Sequence, residues 1–327
     1  MLAACVLLAP LSAAAQPRVR LIATGGTIAN HADGRLSATA LLASAPSLRA
    51  VARVETETFS NVSSVELMLD DWLRLTRRVG QVLAERDVAG VVLTSGSDTL
   101  EELAWWLDLT VAGDRPVVLT GAMRRPSHPA ADGPGNLADA VRVAAHPASR
   151  GRGALIVMAG HVFGARDATK MSLSAVDAFD STAGGPVGRV RGGRVQFLHE
   201  PAAGGTPHYD VSSLRSLPRV DVLLTYQQAP GDLVEAAVRA GARGLVLAAA
   251  GAGAITPAQA DALETARRSG VPVVVASRVA RGRLSPEDVP KGTIAAGTLS
   301  PVKARILLML ALARGLDADA IERLFRQ

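Results

Sequence analysis

Cysteine is nearly absent: Cys5 is the only one in 327 residues. Once the apolar start is removed the chain holds none, which excludes disulfides, zinc–thiolate sites and a cysteine nucleophile. Lysine is almost as scarce, with Lys170, Lys291 and Lys303 the only three among 35 basic residues. Where arginine supplies nearly all the positive charge, a lysine can mark the need for an amine that loses its proton. Aromatic residues make up 3% of the chain and alternate with no basic run, so the net charge of +5 does not indicate nucleic acid. Residues 24–29, TGGTIA, lack both G-x-G-x-x-G and a Walker lysine, which argues against a dinucleotide or ATP. His31 and His128 stand near the glycine-rich motifs, but their spacing to acids matches no metal site. Neither a metal nor a cofactor is expected.

The start, MLAACVLLAPLSAAAQP, is apolar for about a dozen residues, too short to span a bilayer. Ala13-Ala14-Ala15 before Gln16 fits a signal-peptidase site, so residues 1–16 read as a signal peptide and the mature chain as periplasmic or secreted. Leu2-Ala3-Ala4-Cys5 has the form of a lipoprotein box, and lipidation at Cys5 is the one route to a membrane. With 48% hydrophobic and 20% charged residues the remainder is globular, and long enough for two domains.

From residue 17 to 200, apolar runs of strand type alternate with helical periodicity. Strands are expected at 51–58, 89–95, 116–121 and 154–159, and helices at 38–44, 65–86, 98–112 and 134–146. Such order with near-continuously apolar strands predicts a mostly parallel sheet covered on both faces. Residues 30–47, rich in Ala, Ser and Gly, read as a mobile loop around the short helix. Residues 201–218, rich in Pro and Gly, read as a linker, and 219–327 as a smaller C-terminal α/β domain.

Two junctions share one grammar. Residues 91–106, VVLTSGSDTLEELAWW, pass from a strand through Ser95-Gly96-Ser97 directly into a helix, while 19–28, VRLIATGGTI, end a strand in Gly25-Gly26 followed by Thr27. Strand ends of a parallel sheet are where polar side chains meet ligands, and the two turns could face one pocket. The ordinary reading is that Ser97 or Asp98 caps the helix, with Glu101 and Glu102 suiting its positive end and Leu100, Leu103, Trp106 and Leu107 as its buried face. Thr27 could likewise be a simple turn residue and Lys170 a surface lysine. Read as chemistry, Thr27 is a hydroxyl nucleophile on a turn whose missing side chains let a substrate come close at Gly26. Lys170 would then be the base, able to give up its proton in a dry site near other cations.

ATGGTIA at 23–29 and TSGSDTLEEL at 94–103 resemble the two signatures of the bacterial L-asparaginase (asparaginase/glutaminase) family. LTGAMRRPSHPAADGPGNLADAV at 119–141, ARDATK at 165–170, ASRVARG at 276–282 and AAGTLSPVKARILLMLAL at 295–312 match it in the same order. The resemblance implies an exported amidohydrolase of two domains, turning asparagine into aspartate and ammonia through a threonine acyl-enzyme. It assigns Thr27 as nucleophile and Ser97, Asp98 and Lys170 as the second triad, which activates the attacking water. Gly26, Ser64, Ser97 and Asp98 would bind substrate, Ser64 through the α-carboxylate and Asp98 through the α-ammonium, and Glu287 would stand in for a glutamate from a partner. A homotetramer, a dimer of dimers, is implied.

Several positions depart from the family pattern. Ser95-Gly96-Ser97 replaces His-Gly-Thr, residues 30–50 contain no tyrosine, Val65 stands where a glutamine is usual, and Gly251-Ala252-Gly253 lacks an asparagine. These leave open a related amidase of different or relaxed range (glutamine, D-amino acid amides), and, from another class, a non-catalytic binding protein for small amino acids. Retention of Lys170, which binding alone does not need, favours an enzyme.

Overall fold

The computed structural model describes residues 16–201 and 206–326. The expected signal segment, apart from Gln16, and the Cys5 lipidation site lie outside the described residues. Eight strands form the larger sheet, in the order Arg194–Phe197, Gly188–Arg191, His161–Gly164, Ala154–Met158, Val117–Thr120, Val88–Thr94, Arg18–Gly25, Arg53–Val62. The last five in that order are mutually parallel and the first three add antiparallel to their edge. Alternate residues of each strand face opposite sides. Ile22, Val91, Leu93 and Ile156 pack under helices Leu69–Ala84 and Leu100–Thr110, while Leu21, Val92, Val118 and Leu155 pack under Ala38–Ala43 and Gly133–Ala145. Burial on both faces is why the strands read as unbroken apolar runs.

The smaller sheet, Val220–Leu224, Gly244–Ala249, Val273–Ser277 and Ile294–Ala295, is parallel throughout. Helices Asp232–Arg239 and Pro257–Arg268 cover one face of it and Pro301–Ala313 the other. The expected class is therefore found: α/β, with a large, mostly parallel sheet first and a smaller one after it.

Three local differences have physical causes. The helix expected over 65–86 is broken. Ser63 and Glu66 close a short turn at Ser64–Glu66, and the α-helix starts only at Leu69, where the Asp71 carboxylate accepts the Met68 N–H at 3.1 Å. The stretch 30–47 holds a small hairpin, Asn30–His31 with Gly34–Arg35, and helix Ala38–Ala43. Leu36 N–H to Ala29 O ties it to the turn at 27–29, and Ala38 N–H to Thr58 Oγ1 and Asn61 Nδ2 to Arg35 O tie it to the sheet. Thirdly, residues 206–211 of the linker close the C-terminal end of helix Leu100–Thr110. The Tyr209 N–H donates to Leu109 O at 2.7 Å, and His208 Nε2 lies 3.1 Å from Thr110 O, meeting carbonyls that a helix end leaves unpaired.

Asp108, on that helix, accepts hydrogen bonds from the Ala154 N–H (2.7 Å) and the Thr206 hydroxyl (2.8 Å). Its burial outweighs these donors and pushes the carboxyl up to about 6. A carboxyl raised on folding contributes its stability at low pH and loses it as the pH climbs through about 6, a difference on the order of 3 kcal/mol. Asp108→Asn removes this titration, so the melting temperature of the variant relative to the parent should rise between pH 5 and 7.5. Calorimetry at the two pH values checks it; a constant difference would dismiss Asp108 as the titrating group.

Candidate active site

The strand Arg18–Gly25 lies between Arg53–Val62 and Val88–Thr94, so the chain leaves it toward opposite sides in turn. That reversal of direction opens a crevice beyond the strand ends, the usual ligand position in open parallel sheets. Both glycine turns are there. Gly25 and Gly26 adopt φ of 116° and 82°, and the Gly26 N–H donates to Val62 O at 2.9 Å. A Cβ on Gly26 would collide with the backbone of Gly96, and one on Gly96 would stand 2.7 Å from Ser64 Oγ. The two turns and Ser64 are thus interlocked by close approaches that only glycine permits. Thr27, half-buried, opens the short helical turn Thr27–Ala29.

Lys170 ends the strand Ala168–Lys170, held antiparallel to Phe179–Ser181. Its Nζ donates to Ser97 Oγ at 2.9 Å and to Asp98 Oδ1 at 2.6 Å. The lysine side chain is only 13% exposed whereas that of Asp98 is 71% exposed, so a sheltered amine meets a carboxylate open to solvent. Neither Ser97 nor Asp98 caps the helix. Thr99 holds the cap position without a side-chain bond, and both earlier side chains turn to Lys170. Among the described residues the Thr27 hydroxyl and the Ser97 N–H make no hydrogen bond. A free hydroxyl on one turn and a free donor on the other, beside the positive end of a helix, can serve attack and oxyanion binding respectively.

Ser64 is buried and is not the cap of the following helix. Its neighbour Val65 is 68% exposed. Glu287 is placed elsewhere: exposed on the turn Pro286–Asp288 of the second domain, it shares a surface cleft with Arg283, Glu322 and Arg326. No hydrogen bond or ion pair links it to Thr27, Ser97, Asp98 or Lys170 of its own chain among the described residues. Ala252, also exposed, lines a second cleft with Ser277 and Arg281. Sequence reasoning missed Glu101 as a site neighbour. It suits the helix N-terminus, and it also accepts from Thr169 Oγ1 (3.1 Å) and the Lys170 N–H (3.3 Å). Asp132 and Asn136 were missed too. The carboxylate takes the Met123 and Arg124 N–H groups, and the amide joins Gly121 O to the Ala159 N–H, pinning the loop beside the second turn. No group of three or more His, Cys, Asp or Glu side chains among the described residues is arranged to hold a metal ion.

Residues 18–203 match the family description "Asparaginase, N-terminal", and residues 219–325 match "Glutaminase/Asparaginase C-terminal domain". The chain belongs to the asparaginase family. Among asparaginase-family relatives, the "Probable L-asparaginase periplasmic" of Haemophilus influenzae is 38% identical over 96% of this chain and 94% of its own. The "L-asparaginase 2" of Escherichia coli is also 38% identical, over 97% and 94%. The crystal structure of a probable cytoplasmic L-asparaginase from Campylobacter jejuni superposes with a TM-score of 0.91 at 36% identity, covering 95% of this chain and all of the other.

Proposed function

We propose that this asparaginase-family chain hydrolyses L-asparagine to L-aspartate and ammonia. The observation carrying this reading is the Lys170 amine on Ser97 Oγ and Asp98 Oδ1, next to the interlocked turn that presents Thr27. Thr27 Oγ attacks the carboxamide carbon, and its proton passes toward Lys170. The carbon–nitrogen bond breaks with transfer of a proton to nitrogen, leaving a β-aspartyl ester and ammonia. Water, relieved of a proton by the Ser97–Lys170 pair, then cleaves the ester. The Ser97 N–H faces the developing oxyanion, Asp98 attracts the α-ammonium, and buried Ser64 and bare Gly26 hold the carboxylate end. Glu287 would act across an interface in a homotetramer, since its own chain leaves it apart; light scattering of a fully active monomer would refute that. We infer that residues 1–16 are a signal peptide and that the mature chain is periplasmic or secreted; N-terminal sequencing of protein from the periplasm and medium, beginning at Gln16 or Pro17, would bear this out, and an intact chain found only in the cytoplasm would refute it.

The decisive experiment is ammonia release by the purified mature chain from Asn, Gln and their D-forms. L-Asn should give the highest kcat/KM, and no release from any of the four would end the proposal. A relaxed amidase is the second reading, favoured by exposed Val65 and by Ala252, neither of which offers a polar group to the substrate. One methylene is discriminated in an apolar pocket by only about 1–3 kcal/mol, so restoring polar partners should matter more for binding. The pair Val65→Gln and Ala252→Asn is therefore expected to lower KM by about tenfold or more, the scale of one hydrogen bond to a charged group. Steady-state kinetics with an unchanged or higher KM in the folded double variant would show that other contacts hold the substrate.

A further inference from the structure

Helix Pro301–Ala313 is apolar almost all round, yet its first turn carries Lys303, which is 1% exposed. Burying an ammonium costs several kcal/mol unless its donors and charge are matched, and the matching here points in one direction. Nζ donates to Arg166 O at 2.9 Å and to Ala168 O at 2.5 Å, and stands 3.8 Å from Glu101 Oε2. That carboxylate oxygen is buried without a hydrogen bond among the described residues, so the Lys303 charge is what compensates it. The other oxygen of Glu101 accepts from Thr169 Oγ1 and the Lys170 N–H. Among the described residues, every polar contact of the Lys303 amine therefore ends on residues 166–170 or on the carboxylate that grips them. The helix itself is anchored, because Trp105 Nε1 donates to Lys303 O at 3.2 Å and the Arg166 guanidinium stands over the Trp105 ring.

We infer that Lys303 is a positioning residue for Lys170: from the second domain it fixes the height and register of segment 166–170, and so the place where the Lys170 amine meets Ser97 and Asp98. This rests on the reading that Lys170 moves a proton in the reaction. Burial pushes the Lys303 ammonium down to about 8; Glu101 and Asp108 on helix Leu100–Thr110 and Asp167 on the segment oppose that fall, and Arg166 adds to it. The Glu101 carboxylate beside it favours its charged form. The device also explains why this position uses lysine where the chain otherwise uses arginine: a compact ammonium reaches two carbonyls and a carboxylate from one atom.

The test uses the full mature chain with asparagine as substrate. Lys303→Met keeps an unbranched side chain of nearly the same length and removes its donors. Displacement of a proton-transfer group should cut kcat about 10- to 100-fold with KM changed by less than about threefold. A residue that merely joined the domains would lower the melting temperature and leave kcat, measured well below that transition, at the parental value; that result overturns the inference. Where Lys303→Met fails to fold, Glu101→Gln takes its place. The amide still accepts from Lys170 N–H but cannot pair with the ammonium, so kcat should fall, and a parental kcat overturns the inference equally. A double-variant cycle with Lys170→Met separates the layers. Loss of kcat that disappears in the Lys170→Met background supports positioning through Lys170, and loss that multiplies there refutes it. If Lys170→Met alone turns over at the parental rate, the failure belongs to the catalytic reading of Lys170.

Discussion

Thr27→Val is expected to lower kcat by about 10⁴-fold or more, the scale seen when a hydroxyl nucleophile is removed. Valine matches threonine in shape and branching at Cβ, so the short helical turn Thr27–Ala29 keeps its conformation. The hydroxyl makes no hydrogen bond among the described residues, so the fold loses no polar contact. The stability to unfolding should therefore change by no more than an ordinary surface substitution does, about 0.5 kcal/mol, while turnover vanishes. Such a separation of activity from stability is the signature of a reacting group. Parental turnover in Thr27→Val would remove it from the mechanism, and a large loss of stability would show that its hydroxyl serves the fold.

Lys170→Met is expected to lower kcat by at least about a hundredfold, as for a lost proton-transfer group. Lys170 is the only residue joined by hydrogen bonds to both Ser97 and Asp98 among the described residues. Its removal leaves Ser97 Oγ without that partner. Asp98 is largely open to solvent, so no charge is stranded in a dry interior and the protein should fold. Without Lys170 the Asp98 carboxylate is freer to attract an α-ammonium. KM should then hold or fall even as kcat collapses. Steady-state kinetics distinguishes this from loss of binding, which would raise KM at constant kcat. A near-parental kcat would leave Thr27 without its base.

The glycine turns were legible because their cause is local. Gly25-Gly26 must take positive φ, and a strand that ends there beside another that ends at Thr94 and turns through Gly96 can bring the two turns' backbones together only where no Cβ intervenes. The order of strands and helices was legible for a similar reason, since apolar runs and helical spacing are set by which faces are buried. The helix over 65–86 was misjudged because two successive capping pairs, Ser63 with Glu66 and Met68 with Asp71, compete for one stretch.

Apolar periodicity in the sequence determined the α/β class and the succession of a larger and a smaller sheet, while the resemblance of its motifs to the asparaginase family, which the family match bears out, drew attention to Thr27, Ser97, Asp98 and Lys170. Which partner each polar side chain chooses was decided only in three dimensions. Ser97 and Asp98 suit a helix cap equally well as residue types, and what turns them away is an amine arriving from Ala168–Lys170, some seventy residues on. Trp105 lies off the apolar stripe that periodicity assigns to its helix, yet it is buried because the second domain covers that side with Pro301–Ala313. Lys303 reads as one charge in an apolar helix, and only the chain folded back on itself sets two carbonyls and Glu101 around it. Periodicity reports which face of an element is dry. It does not report which distant group waits there, because hydrogen bonds and ion pairs are satisfied by neighbours in space rather than along the chain.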